Sequence, residues 1–309
     1  MDLSQLRVLR EVADQGSISA AARALSVTPS AVSQVLAALQ RGFTTPLTQR
    51  QGRTVELSDA GHALATAAVD VATAMARAEA VVEDHLQDVT TTVRVSAFHS
   101  AAVRLFPGLV AAGRHPGHPP VECVDEDVEQ GAFPALTAAY DIVVAHRMSH
   151  TEPWADTRLT VVPLLREPLD VAMRADHPLA SRASVRPGDL VDLSWVSTHQ
   201  GFSPADMLGA IAASTGTPMR VLHRMNDFTT AAAMVSAGDL VALLPRYTAA
   251  PPVGSGVVLR PLAGVKTDRR IDLLIRPERA DRRAVVAVVD SLRSIAARLV
   301  ADTGSETGR

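Results

Sequence analysis

Along residues 3–39 the apolar positions recur in steps of three and four, the spacing that gathers them on one face of a helix. Leu3, Leu6, Leu9 or Val8, Val12 and Ala13 predict a first helix that Gly16-Ser17 ends. Ile18, Ala21, Ala22 and Leu25 predict a second, capped by Ser17 or Ser19, with Ser26-Val27 as a tight connection to a third. Thr28 is a good N-cap, and Pro29 suits the first helical position, where its missing N–H would have had no intrahelical partner. Val32, Val35, Leu36 and Leu39 then turn inward, leaving Ser30, Ser33, Gln34 and Ala37 outward at helical spacing. After two short extended arms around Gly52, a long Ala-rich helix is expected from Ser58 to about Gln87. Its Leu64, Ala68, Val71, Met75, Ala78, Val82 and His85 follow the alternating four-and-three steps of a coiled-coil seam.

Near Val89–Thr92 the pattern changes to strand alternation. Strands are expected at Val93–Phe98, Val121–Val124, Asp141–Ala145, Leu169–Met173, Ser194–Ser197, Arg220–Met225, Val241–Leu244 and Ile271–Ile275, with helical segments between several of them. That order describes an α/β domain with a largely parallel sheet.

Composition narrows the class. With 309 residues, 47% hydrophobic and 20% charged, the chain should fold into two or three compact domains. The single Cys123 leaves no disulfide framework or cysteine zinc site within one chain, which suits a reducing cytoplasm. Neither a signal peptide nor a membrane span is expected. A net charge of −3 argues against coating nucleic acid through bulk charge. Local distribution reverses that: between Asp14 and Glu56 there is no acid, while Arg23, Arg41, Arg50 and Arg53 fall in the window.

An acid-free, slim face of hydroxyl, amide and methyl groups is what a helix needs to enter a DNA major groove. Gln pairs with adenine, Ser serves as donor or acceptor, and Ala meets a thymine methyl. The alternative for an amphipathic helix alone is an outer face that merely meets water. Arg50-Gln51-Gly52-Arg53-Thr54-Val55-Glu56-Leu57 adds a wing whose arginines would reach phosphate or the minor groove.

Residues 1–62 resemble the winged helix-turn-helix of LysR-type transcriptional regulators through MDLSQLRVLREVADQGSISAAARALSVTPSAVSQVLAAL, TPLTQR and GRTVELSDAGHAL. The family has a Leu-Gly pair before Pro-Leu and then Phe-Glu-Arg. Here the stretch is Gly42-Phe43-Thr44-Thr45-Pro46-Leu47-Thr48-Gln49-Arg50. The resemblance implies groove-facing roles for Thr28, Pro29, Ser30, Ser33 and Gln34, wing contacts by Arg53 with Arg50 beside it, and phosphate contacts by Ser17 and Ser19. It also implies dimerisation through the long helix, as a homodimer or homotetramer on an interrupted palindrome of double-stranded DNA.

Leu105-Phe106-Pro107, Tyr140–Val144, Asp176-His177-Pro178-Leu179 and Ser236–Pro245 resemble landmarks of the same family's effector domain. The implied fold is therefore α/β overall. It comprises an N-terminal all-α winged helix-turn-helix (1–62), a linker and dimerisation helix (58–89), and a periplasmic-binding-protein-like α/β effector domain of two subdomains (93–302). Subdomain I is expected at about 93–163 and 268–302 and subdomain II at about 164–267, with the chain crossing near Pro163 and returning near Val265. A small-molecule effector would sit between them at strand ends and helix N-termini, which favour carboxylates. Candidate contacts by position are Phe98, His99, Ser100, Asp127, His146, Thr198, His199, Phe202, Asn226 and Asp227, against the plainer reading of Ser and Thr there as N-caps. The acidic run Asp125–Asp127 with Glu129 is expected to be a solvated loop rather than a cation site.

No Gly-x-Ser-x-Gly, His-Glu-x-x-His or phosphate loop is present, so no catalytic residue, metal or cofactor is expected, and His115-Pro-Gly-His118 lacks companion ligands. The competing readings are a DNA-binding regulator whose C-terminal domain only oligomerises and an enzyme on an α/β fold.

Overall fold

The computed structural model describes residues 1–51, 54–86, 91–154 and 158–306. Helices α1 (Leu3–Gln15), α2 (Ile18–Ala24) and α3 (Pro29–Gln40) pack around Leu9, Val12, Ala21, Ala22, Val32, Leu36 and Leu39. Their ends are fixed by local chemistry. Asp2 and Gln5 form a reciprocal capping box on α1, and Gly16 closes that helix in the left-handed conformation. Ser17 Oγ accepts from the Ala20 amide, and Thr28 Oγ1 from the Ala31 amide. Strands β1 (Thr48–Gln51) and β2 (Thr54–Leu57) form an antiparallel wing in which Arg50 faces Val55.

The unusual segment between α3 and the wing is tied down by one side chain. Gln40 donates to the carbonyls of Phe43 and Thr45 at 3.1 and 3.0 Å and accepts from the Leu47 amide at 2.7 Å. Its amide supplies three backbone partners to a loop that has few of its own.

Helix α4 (Asp59–Leu86) begins inside this domain. The expected seam divides: Leu64 and Ala68 turn towards the chain's own packed side, whereas Val71 and Met75 remain 41% exposed and Ala78 is exposed. Val82 and His85 lie outside the described side chains, and Val89 and Thr90 of the expected Val89–Thr92 boundary lie outside the described residues.

The remaining elements are β3 (Val93–Ala97), α5 (His99–Ala112), β4 (Val121–Asp125), α6 (Phe133–Leu136), β5 (Ile142–Met148), β6 (Thr160–Arg174), β7 (Ser194–Ser197), α7 (Ser203–Thr215), β8 (Arg220–Arg224), α8 (Phe228–Ala237), β9 (Val241–Pro245), β10 (Val257–Arg260), β11 (Asp268–Ile275), α9 (Pro277–Ala280) and α10 (Arg283–Glu306). The strands run in the order β4-β3-β5-β11-β6-β9-β7-β8, with β10 also on β6.

The sheet is mixed, which corrects the largely parallel expectation. β3 pairs in parallel with β4 and β5, and β7 with β8 and β9, but β11 and β6 run antiparallel to all their partners. The reason is the long strand β6. Its first half pairs with β11 and its second half with β9 and β10, so one strand belongs to two half-sheets. Pro163 and Pro168 and the Arg166-Glu167 pair interrupt its hydrophobic pattern, which hides the first half in the sequence. A register shift at Ile271/Asp272 accommodates Pro163, which has no N–H to give the ladder. One core lies among β3, β5, β11, α5 and α10, and two smaller ones flank the second half-sheet around Trp195 and Val235.

Candidate nucleic-acid interface and effector crevice

On α3, Ser30, Ser33, Gln34 and Ala37 are all exposed, while Val35 is only half-buried. Ser33 Oγ donates to the Pro29 carbonyl at 3.0 Å, so its hydroxyl offers an acceptor to a partner. Thr28 and Pro29 are exposed at the start of the same helix. Ser17 spends its oxygen on the α2 cap, and Ser19 is exposed on the first turn. Arg50 is exposed on the wing, and Arg53 lies outside the described residues.

In the C-terminal domain the N-termini of α5 and α7 and the ends of β5, β7 and β8 converge on one crevice. Phe98, His99, Ser100, Asp127, His146, Thr198, Phe202 and Asn226 line a cavity of about 20 Å³, room for roughly one water. Asp227 stands at the mouth with Asp125, and caps α8 through the Thr230 amide at 2.6 Å. His199 is exposed and does not line this cavity; its backbone amide donates to Asn226 Oδ1 at 3.1 Å.

The floor is built from residues the sequence did not single out. Arg269 donates to Glu167 through Nε at 2.9 Å and Nη2 at 2.8 Å, and through Nη2 to Ser100 Oγ at 3.2 Å and Thr248 Oγ1 at 2.9 Å. Its guanidinium lies 4.8 Å from the Phe98 ring centre. Glu167 also accepts from the backbone amides of Tyr247 and Thr248. His146 Nδ1 is 3.2 Å from Ser203 Oγ, and its ring packs edge-on to Phe98 and Phe133. Burial, and then the Arg269 charge, push the imidazole well below its ordinary pKa, so it is neutral. A charge within a β-strand was the available signal for Glu167, but its partner lies about a hundred residues away.

The mouth of the crevice carries three carboxylates. Asp125, Asp127 and Asp227 converge on it, and the acidic run is exposed at Asp125, Asp127 and Glu129, with residues 126–129 in a loop, as expected. His99 Nδ1 is 2.6 Å from Asp125 Oδ2 and Nε2 is 3.8 Å from Asp227 Oδ2. The hydrogen bond to Asp125 raises the His99 pKa, and burial with the nearby Asp125 charge raises that of Asp127. Arg269 is paired with Glu167, so its own charge is already balanced.

Elsewhere, the His118 ring nitrogens face the Pro119 carbonyl and Ser291 Oγ. Among the described residues, no cluster of three His, Cys, Asp or Glu side chains has metal-holding geometry, and no helix is long and apolar enough to cross a membrane.

Residues 3–62 match the bacterial regulatory helix-turn-helix of the lysR family, and residues 87–297 match the LysR substrate binding domain. The chain belongs to the LysR family. This LysR-type transcriptional regulator is 28% identical to the small neutral protease regulatory protein of Streptomyces coelicolor, over 96% of this chain and 88% of the relative. It is 29% identical to a probable hydrogen peroxide-inducible genes activator of Mycobacterium avium, over 89% of this chain and 88% of that one. Its fold is similar to full-length OxyR of Pseudomonas aeruginosa, with a TM-score of 0.62 and 22% identity over 96% of this chain and 97% of that one. CbnR complexed with its target DNA gives 0.53 and 20% identity, over 96% and 100%.

Proposed function

We propose that this LysR-type regulator acts in the cytoplasm as a homodimer or homotetramer that reads an interrupted palindrome in double-stranded DNA with α3. A small-molecule effector bound between the subdomains modulates it. The observation that carries the DNA reading is the exposed, acid-free face of Ser30, Ser33, Gln34 and Ala37 beside the basic wing. The exposed Val71 and Met75 on α4 support pairing through that helix. Two recognition helices on a two-fold axis would meet half-sites about 34–36 Å apart.

The convergence of eight candidate contacts on one cavity supports the crevice as the effector site. Of the ligand chemistries available, a neutral or cationic molecule suits the three carboxylates at its mouth better than an acid. A thiol is not part of the crevice lining: Cys123 lies on the outer strand β4, where burial raises its pKa.

Footprinting on DNA flanking the gene tests the reading. Protection of two half-sites is expected, and Gln34→Ala should relax preference at one position in each, by about 1–3 kcal/mol for a bidentate contact. Unchanged affinity of Gln34→Ala on every sequence would remove α3 from the groove.

A further inference from the structure

The DNA-binding domain is not attached through α4 alone. Helix α1 lies against the effector domain of its own chain through six charged side chains. Arg10 meets Glu278 at 2.7 Å and Asp14 at 3.4 Å, and Arg158 meets Asp14 at 2.8 Å. Arg276 binds Glu11 and reaches Asp14 at 3.5 Å. Arg10 and Glu11 are 3% exposed and Arg276 is 5% exposed, so the pairs are shielded from water.

The cluster balances three cations against three anions, yet Arg10 Nη2, Arg276 Nε, Glu11 Oε2 and Glu278 Oε2 find no hydrogen-bond partner in the protein. Desolvation offsets much of the attraction in such a cluster, and what it chiefly supplies is one permitted geometry.

Its attachment points are informative. Arg158 precedes β6 and Arg276 follows β11, and these two strands pair from Ile275 opposite Thr160 to Arg269 opposite Glu167, with one register shift at Ile271/Asp272. One end of the two-stranded ribbon holds α1; the other is the crevice floor. The seven residue-to-residue steps from Arg269 to Arg276 span about 23 Å of extended chain. Because α1 shares a core with α3 through Leu9, Val12, Val32 and Leu36, a displaced α1 carries the recognition helix with it.

We infer that the β6/β11 ribbon couples the crevice to the DNA-binding domain, with Arg158 and Arg276 as the positioning residues that keep α1 in register with it. Its regulatory meaning rests on the crevice being the effector site; the mechanical link does not.

Hydrogen–deuterium exchange on the full chain, with neither effector nor DNA added, tests the link. Glu11→Arg and Arg276→Glu each bring like charges together and should speed exchange in α1 and in residues 276–282 by about tenfold, a local opening equilibrium shifted by one decade. The combined swap restores opposite charges and should return both segments to within about twofold of the parent. Should Arg276→Glu fail to fold, Arg158→Gln at the cluster's rim gives the same readout in α1.

Thr248→Val trims the crevice floor without touching the cluster and should raise exchange in α1 severalfold, an effect absent from the Arg276→Glu background. Failure of the swap to restore protection, or a Thr248→Val response confined to the crevice, overturns the inference. A chain that shows the coupled exchange but gives no footprint refutes the regulator reading and leaves the ribbon standing. The converse pattern refutes the ribbon alone.

Discussion

Replacing Glu167 by Gln would test whether the crevice floor is held by charge. Glu167 and Arg269 have side-chain exposures of 0% and 2%, and the carboxylate accepts from the guanidinium Nε and Nη2, two backbone amides and the Thr248 hydroxyl. Gln matches the shape but turns one acceptor oxygen into an NH₂ group facing donors. A charge-assisted hydrogen bond contributes about 1.5–3 kcal/mol, and removing one member of a buried pair typically costs about 3–5 kcal/mol because the other charge is stranded. We expect a loss in that upper range from a stability on the order of 5–15 kcal/mol. With a urea slope of about 2 kcal/mol/M, the midpoint falls by roughly 1.5–2.5 M. Trp195, fully buried in the second half-sheet, reports the transition by fluorescence. Glu167→Gln combined with Arg269→Met removes both charges and should cost clearly less than the two single losses together. A single loss below about 1 kcal/mol, or strict additivity, would refute the account of the floor as a coupled pair.

Because the His99 pKa is raised, by the Asp125 hydrogen bond first, its stabilisation is fully present below the free imidazole value of about 6.5 and disappears as pH rises through the folded value. His99→Gln should therefore lower Tm at about pH 5.5 and match the parent near pH 9; an equal deficit at both refutes the pairing. A Cβ on Gly61 would stand 2.1 Å from the Leu47 carbonyl oxygen, so Gly61→Ala should destabilise the helix-turn-helix by about 1–3 kcal/mol in thermal melts followed by circular dichroism. An unchanged melting curve would deny that close approach. Arg50→Ala should weaken binding to all duplexes alike and reduce the slope of log affinity against log salt by about one; an altered sequence preference would place Arg50 on a base instead.

The helix-turn-helix was legible because its determinants are local. Thr28, Pro29, Ser17 and Gly16 mark helix ends within a few residues of the groups they satisfy, and the exposed face of α3 follows from a single period. The crevice was legible only at its rim, where positions after strands are set by alternation. Its floor was hidden: Glu167, Thr248 and Arg269 lie on β6, after β9 and on β11, and no local pattern says that they meet. The α1 cluster was hidden for the same reason, since Arg10 and Glu11 resemble the polar side of an amphipathic helix until Arg276 and Glu278 cover them. The seam on α4 was over-extended because Leu64 and Ala68 recur with the same period whether they meet a partner copy or the chain's own domain.

Strand β6 also sets the order in which the polypeptide can mature. Its N-terminal half needs β11, and the first core needs Ile271, Leu273, Leu274, Val288 and Leu292, all of which leave the ribosome after the whole second half-sheet. At about 5–20 residues per second, β3 to β5 therefore wait roughly 7–30 s with their apolar faces uncovered. The helix-turn-helix, complete long before, emerges tethered to an unfinished domain, and nascent chains of this regulator should depend on holding chaperones until translation reaches α10.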